Sequence, residues 1–129
     1  MIKVVAALIE RDNKYLIAKR STGSSDVLGK WEFPGGKVEK DEDEFIAIER
    51  EIKEEFEINI KAHKFLTNNV CTYSDKIVDL RLYECEYLSG NFNLHDHFEY
   101  KFVSKEQLLE YDLAHADIQL AKYIQKMNE

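Results

Sequence analysis

The stretch from Gly36 to Ile58 constrains the fold more than any other part of the chain, because it joins a glycine corner to an acidic, amphipathic helix. At about 100° per residue, Phe45, Ile48, Ile52 and Phe56 recur at intervals of three and four, forming one apolar face that should bury against a sheet. Glu51, Glu54 and Glu55 share an arc of roughly 100° on a neighbouring face. Like charges at i, i+3 and i+4 cost a helix roughly a few tenths of a kcal/mol per pair, so the cluster gains nothing without a cation nearby. Two explanations stand at this level. One is a solvated acidic surface; the other is a site for a hard cation such as magnesium, which takes a few carboxylate oxygens and fills its shell with water and phosphate.

The spacing resembles the Nudix box, G-x5-E-x7-R-E-U-x-E-E-x-G-U, where U is a bulky aliphatic residue. Gly36, Glu42, Arg50, Glu51, Ile52, Glu54, Glu55 and Ile58 occupy its positions. One position departs: Glu57 stands where the family has a glycine to turn the chain at the helix end. Trp31 to Glu39, reading WEFPGGKVE, looks like the lead-in to the box in MutT-type nucleoside triphosphate pyrophosphohydrolases. With the first strands and a closing segment from Ala114 to Ile118, the likeness covers nearly the whole chain and points to the CTP pyrophosphohydrolase branch. It implies an α/β fold, an α/β/α sandwich with a mixed β-sheet between helices, built as a single domain over residues 1–129.

The resemblance also implies roles. Glu54 and Glu55 are metal ligands, the Gly35 carbonyl is another, and Glu51 is the general base or a further ligand. Arg50 orients Glu51 by a charge-assisted hydrogen bond. Glu42 braces the loop and helix, and Gly36 is a structural residue of the motif; the break at Pro34-Gly35-Gly36 also reads as a place where backbone approaches a ligand closely. The cofactor is Mg²⁺, with Mn²⁺ as a substitute, and the chemistry is attack of water on a phosphoanhydride. Arg20 and Lys37 are candidate phosphate contacts, although each also reads as an ordinary surface cation. Glu99 and Asp96 lie on a loop that in relatives lends an extra carboxylate. His95 and His97 form either a transition-metal pair or a solvated pair.

Base recognition falls to other residues. Phe33 reads equally as a stacking platform and as core. Where MutT has an asparagine that reads oxidised guanine, this chain has Ala116, whose side chain offers no hydrogen bond. Asp117 is the polar group available there. Its carboxyl suits the exocyclic amine of cytosine, and it also reads as an N-cap for the last helix. The favoured substrate is therefore CTP, dCTP or a modified dNTP, cut to the monophosphate and pyrophosphate. Alternatives are 8-oxo-dGTP, ADP-ribose or a dinucleoside polyphosphate, and a binding module without catalysis. ADP-ribose enzymes of the family commonly carry a proline after the box, and Pro34 is the only proline here.

Composition sets outer limits. A chain of 129 residues with 44% hydrophobic and 12% aromatic content can build a core. A net charge of −7 argues against a nucleic-acid polymer as partner and leaves a small anionic nucleotide, neutralised by metal. There is no run of about 18 apolar residues and no basic-then-apolar leader, so the expectation is a cytoplasmic monomer or homodimer without a membrane partner. Cys71 and Cys85 lack CxxC spacing and are expected to be reduced and buried.

Along the chain, strands are expected over Lys3–Ile9 and Tyr15–Arg20 around a turn at Asp12-Asn13-Lys14. A small-residue loop from Ser21 to Gly29 and short extended pieces from Trp31 to Val38 follow. The box helix, capped by Asp41 or Asp43, should run to Phe56. Strands near His63–Tyr73 and Lys76–Tyr87 should meet at Ser74-Asp75. A polar loop from Ser89 to His97 leads to a strand at Tyr100–Val103. Ser104 and Gln107 read as a capping box, and the last helix spans Asp117–Met127.

Overall fold

The structure is a computed structural model that describes residues 1–73 and 75–127. Seven strands form one mixed sheet: β1 (Ile2–Arg11), β2 (Lys14–Arg20), β3 (Trp31–Glu32), β4 (Gly35–Lys37), β5 (Asn59–Tyr73), β6 (Lys76–Ser89) and β7 (His97–Val103). The main order is β3-β2-β1-β6-β5, with β4 on β1 and β7 on β2. Only β1 and β6 run parallel among the paired strands; the other ladders are antiparallel. Helix α1 (Glu44–Phe56) covers one face and α2 (His115–Gln125) the other, giving the expected α/β sandwich.

β1 explains the layering. Its run Val5-Ala6-Ala7-Leu8-Ile9 is buried throughout, as a central strand covered on both faces must be. Val5, Ala7 and Ile9 pack with Ile48, Ile52 and Phe56 of α1, whereas Ala6 and Leu8 join Leu120, Ala121 and Ile124 of α2. The β1–β2 hairpin turns through Asp12 and Asn13, at φ 53° and 64°, residue types that tolerate the left-handed region.

A division between β3 and β4 opens the sheet. β3 pairs with β2, but β4 pairs with β1 over Val4–Ala6. Pro34 sits between them with no N–H to donate, while its carbonyl accepts from the Ala7 N–H at 2.7 Å. Gly35 is required here for packing: a Cβ would collide with the backbone carbonyl of Val5. The close approach expected for a ligand is thus made by β1 itself.

Several expectations need correction. Phe45 is 37% exposed rather than core, its ring meeting Tyr83 edge-on; Ala47 completes the buried face instead. Of the two caps expected for α1, Asp43 is the one that serves, accepting from the Ile46 N–H at 3.2 Å. β5 starts at Asn59 and β7 at His97, because pairing with β6 and β2 extends both beyond their apolar cores. Ser104 makes no side-chain cap on the 3-10 turn at Lys105–Glu110. The last helix begins at His115 with Ala114 at its N-cap, so Asp117 is not the cap. Cys85 is buried and Cys71 only half-buried; both thiols are free, and burial pushes the Cys85 thiol up to about 12. Asp75, at φ 66°, lies in the β5–β6 turn; its expected partner Ser74 lies outside the described residues.

Candidate active site

The acidic face of α1 is built around Arg50. Its guanidinium grips Glu42 with two bonds, Nε to Oε2 at 2.7 Å and Nη2 to Oε1 at 2.9 Å. Nη1 reaches Glu51 at 2.9 Å and Glu54 at 3.0 Å, and Nη2 donates to the Lys37 carbonyl at 3.2 Å. Glu42 also accepts from the Glu39 N–H at 3.0 Å. This fork ties the loop after β4 to the helix, which is the bracing role expected of Glu42. Arg50 and the Glu39 N–H hold the Glu42 carboxyl down near a pKa of about 2. Arg50 in turn is held firmly protonated, chiefly by Glu42.

Glu51 and Glu55 meet on the inner side of the helix. Glu51 packs against Gly36 so closely that a Cβ there would overlap its carboxylate unless that side chain moved. Glu55 is 9% exposed, and its Oε2 is buried with no hydrogen-bond partner. Burial raises its pKa to about 9, reinforced by the charges of Glu32 and Glu51 and by a hydrogen bond with Glu51. A carboxyl in such a place holds a proton or a cation. Glu54 is the open member, its side chain 55% exposed.

Among the described residues no three carboxylate, histidine or cysteine side chains converge into a ready-made ion cage. Arg50 Nη1 stands between Glu51 and Glu54, so the exposed Glu54 must turn for both to face one ion. Magnesium suits this arrangement, since it is commonly held by one or two carboxylates with substrate phosphates rather than by an all-protein cage. The unpartnered Glu55 oxygen and the all-oxygen donor set of Glu51, Glu54, Glu55 and the Gly35 carbonyl fit a hard divalent cation.

A cleft runs from this corner to the other helix. Arg20, Glu32, Phe33, Gly35, Gly36 and Asp117 line it. Asp117 is fully buried, accepts the Phe33 N–H at 2.9 Å, and has its carboxyl pushed well up by burial and by Glu32. The shift favours its protonated form, which donates as well as accepts. Arg20 pairs with Glu32 at 3.3 Å at the rim.

Other candidates fall elsewhere. Phe33 is 3% exposed and belongs to the α2-side core, so its ring is not open for stacking; its backbone N–H does the positioning. Lys37 is exposed and joins the site only through its carbonyl. Glu99 lies in β7 rather than a loop, opposite Lys19. Ala18, one residue away, packs on the α1 side, so alternation points Glu99 to the opposite face from the glutamate cluster. His95 and His97 do not converge on an ion. His95 meets Glu57 at 2.6 Å; His97, expected to be solvated, has a buried side chain whose Nε2 meets Glu32 at 2.8 Å. The Glu32–His97 contact was missed from sequence because its partners are separated by 65 residues and carry no local pattern. A larger groove lies at the far end of the sheet, where His63 pairs with Glu86 and Lys64 with Glu84.

The family model for the NUDIX domain matches residues 1–124. The chain is 41% identical to the CTP pyrophosphohydrolase of Escherichia coli (strain K12) over 120 residues, covering 93% of this chain and 88% of that protein. It is 27% identical to an 8-oxo-dGTP diphosphatase of Buchnera aphidicola, covering 96% and 93% of the two chains. Among solved structures, the E. coli ORF135 protein superposes with a TM-score of 0.86 at 38% identity, covering 96% of this chain and 88% of that one. A MutT protein from Methanosarcina mazei Go1 gives 0.85 at 27% identity, covering 99% and 96%. With the box residues gathered on α1 and the glycine corner beneath them, this chain belongs to the NUDIX domain family.

Proposed function

We propose that the protein hydrolyses a pyrimidine nucleoside triphosphate, CTP or dCTP or a modified dNTP, to the monophosphate and pyrophosphate with Mg²⁺, or Mn²⁺ in its place. The observation that carries this reading is the cleft that joins the glycine corner under Glu51 to the buried Asp117, whose surroundings favour the protonated carboxyl. The similarity to a CTP pyrophosphohydrolase supports the same substrate class.

A bound divalent cation supplies charge neutralisation of the diphosphate and acidifies a water. Glu51, Glu54, Glu55 and the Gly35 carbonyl are the residues that would hold it. Glu51 accepts the proton of the attacking water, kept in place by Arg50 on one side and Gly36 on the other. The new P–O bond forms at the β-phosphorus as the bridging α–β P–O bond breaks, and the monophosphate leaves with the bridging oxygen. Arg20 offers its guanidinium to the phosphates at the rim, exchanging part of its pairing with Glu32. In its protonated form Asp117 would accept from the cytosine N4 amine and donate its O–H to N3, a pattern that uracil reverses.

A ranking of kcat/KM over normal and oxidised nucleotides tests the base assignment. Cytosine nucleotides should rank first, and Asp117→Ala should change the CTP-to-UTP ratio by at least about 10-fold without altering magnesium dependence. Because Ala leaves the buried Phe33 N–H unpaired, at about 1–3 kcal/mol, Asp117→Asn serves as the well-folded companion. Equal losses for every base would defeat a base-reading role, and a top rank for 8-oxo-dGTP would replace the pyrimidine assignment.

A further inference from the structure

Glu57, the one departure from the box, sits at φ 58° and ψ 30° in the left-handed region. A side chain there costs about 1 kcal/mol or more relative to glycine, so its retention needs a compensating contact. The carboxylate provides one: Oε2 accepts from Asn93 Nδ2 at 3.0 Å and meets His95 Nε2 at 2.6 Å. The same two residues reach the end of α1 through the backbone. Asn93 N–H donates to the Phe56 carbonyl at 3.0 Å and His95 N–H to the Glu55 carbonyl at 3.3 Å, groups a helix terminus otherwise leaves unbonded.

The strap held this way leads directly to the cleft. The Asp96 carbonyl accepts from the Ser21 N–H at 2.9 Å, next to Arg20. His97 follows, stacked on Phe56 with ring centroids 5.0 Å apart and in contact with Glu32 at 2.8 Å. Glu32 also takes Arg20, and both line the cleft. Residues 93–97 thus span from the C-terminus of α1 to the wall that faces the substrate.

We propose that Glu57 is a positioning residue, clasping the strap through Asn93 and His95 so that His97 fixes Glu32 and, through it, Arg20 for nucleotide binding. Glycine, the family's residue, would relax the backbone but release both side chains of the strap. The side chains of Glu51 and Glu54 are held separately, by Arg50, so the effect falls on substrate binding rather than on the chemical step. The kinetic consequence rests on the proposed nucleotide hydrolysis; the clasp itself does not.

The test compares the wild-type chain with Glu57→Gly and Glu57→Gln. In metal-free protein, Glu57→Gly should speed amide exchange at Asn93 and His95 by at least about 10-fold and shift the His97 imidazole ¹⁵N resonances. With CTP and Mg²⁺ its KM should rise about 5- to 10-fold while kcat stays within about twofold. Glu57→Gln keeps an acceptor and should recover most of the loss. Adding His95→Ala to Glu57→Gly should cost little more than either alone, since both cut one tether. Wild-type exchange, resonances and KM in Glu57→Gly would overturn the proposal, as would a fall in kcat at unchanged KM. If the wild-type chain hydrolyses no nucleotide, the functional reading fails on its own, and the exchange rates and His97 resonances still decide whether Glu57 positions the strap.

Discussion

Glu55→Gln is expected to silence hydrolysis and, in the same molecule, to stabilise the metal-free protein. Loss of a charged ligand from the metal apparatus should lower kcat/KM by about 10³-fold. The stability gain follows from the burial of Glu55, whose carboxyl has no partner for Oε2 and whose pKa is raised to about 9 against an ordinary 4.5. A raised carboxyl pKa means the folded chain binds the proton more tightly than the unfolded chain. Its contribution is full below about pH 4.5 and is lost as pH climbs through about 9, so metal-free protein should weaken across that window. Gln carries no titrating proton and should flatten the dependence. At pH 8 the variant should be more stable by on the order of 2 kcal/mol, several degrees in Tm. Mg²⁺ should stabilise wild type and release protons on binding, but should do little for the variant. Melting curves at several pH values, with EDTA and with Mg²⁺, check this; a variant less stable than wild type at pH 8 without metal would contradict it.

Glu51→Gln and Glu54→Gln should each reduce turnover by at least about 100-fold with the fold intact, and in distinguishable ways. Glu51 lies inside, between Arg50 and Gly36, and its amide replacement keeps an oxygen for Arg50 while losing the capacity to take a proton. Its loss should appear chiefly in kcat, with a smaller rise in the Mg²⁺ concentration needed than loss of Glu54 gives. Glu54 is more open, with a side chain 55% exposed against 18% for Glu51, and its loss should raise the Mg²⁺ requirement. Titration of activity with Mg²⁺ separates the two. Near-normal turnover in both purified variants would defeat the mechanism, and identical Mg²⁺ curves would remove the division of labour between them.

Much of this arrangement was legible in the chain because its signals are local. The helix carrying Arg50, Glu51, Glu54 and Glu55 follows from period and capping, and Lys3–Ile9 reads as a strand, although its central, doubly buried place is visible only in the fold. What was not legible depends on distant partners. Glu57 looks like a defect until Asn93 and His95 are beside it. Asp117 reads as a cap until the Phe33 N–H, in the break between β3 and β4, is seen to donate into it from across the chain. Glu99 looked like a loop ligand because β7 is short of apolar residues at its start; pairing with β2, not propensity, makes that segment a strand. Phe45 failed for a simpler reason, since a 3.6 period fixes a face but not how far the neighbouring sheet extends over it.

The most direct test of the central claim is product analysis on purified wild-type protein with CTP, in Mg²⁺ and in EDTA. The account predicts CMP and pyrophosphate in equal amounts, formed only with the metal, with label from ¹⁸O-water in the pyrophosphate because water attacks the β-phosphorus. CDP and inorganic phosphate as products, or an undiminished rate in EDTA, would contradict it.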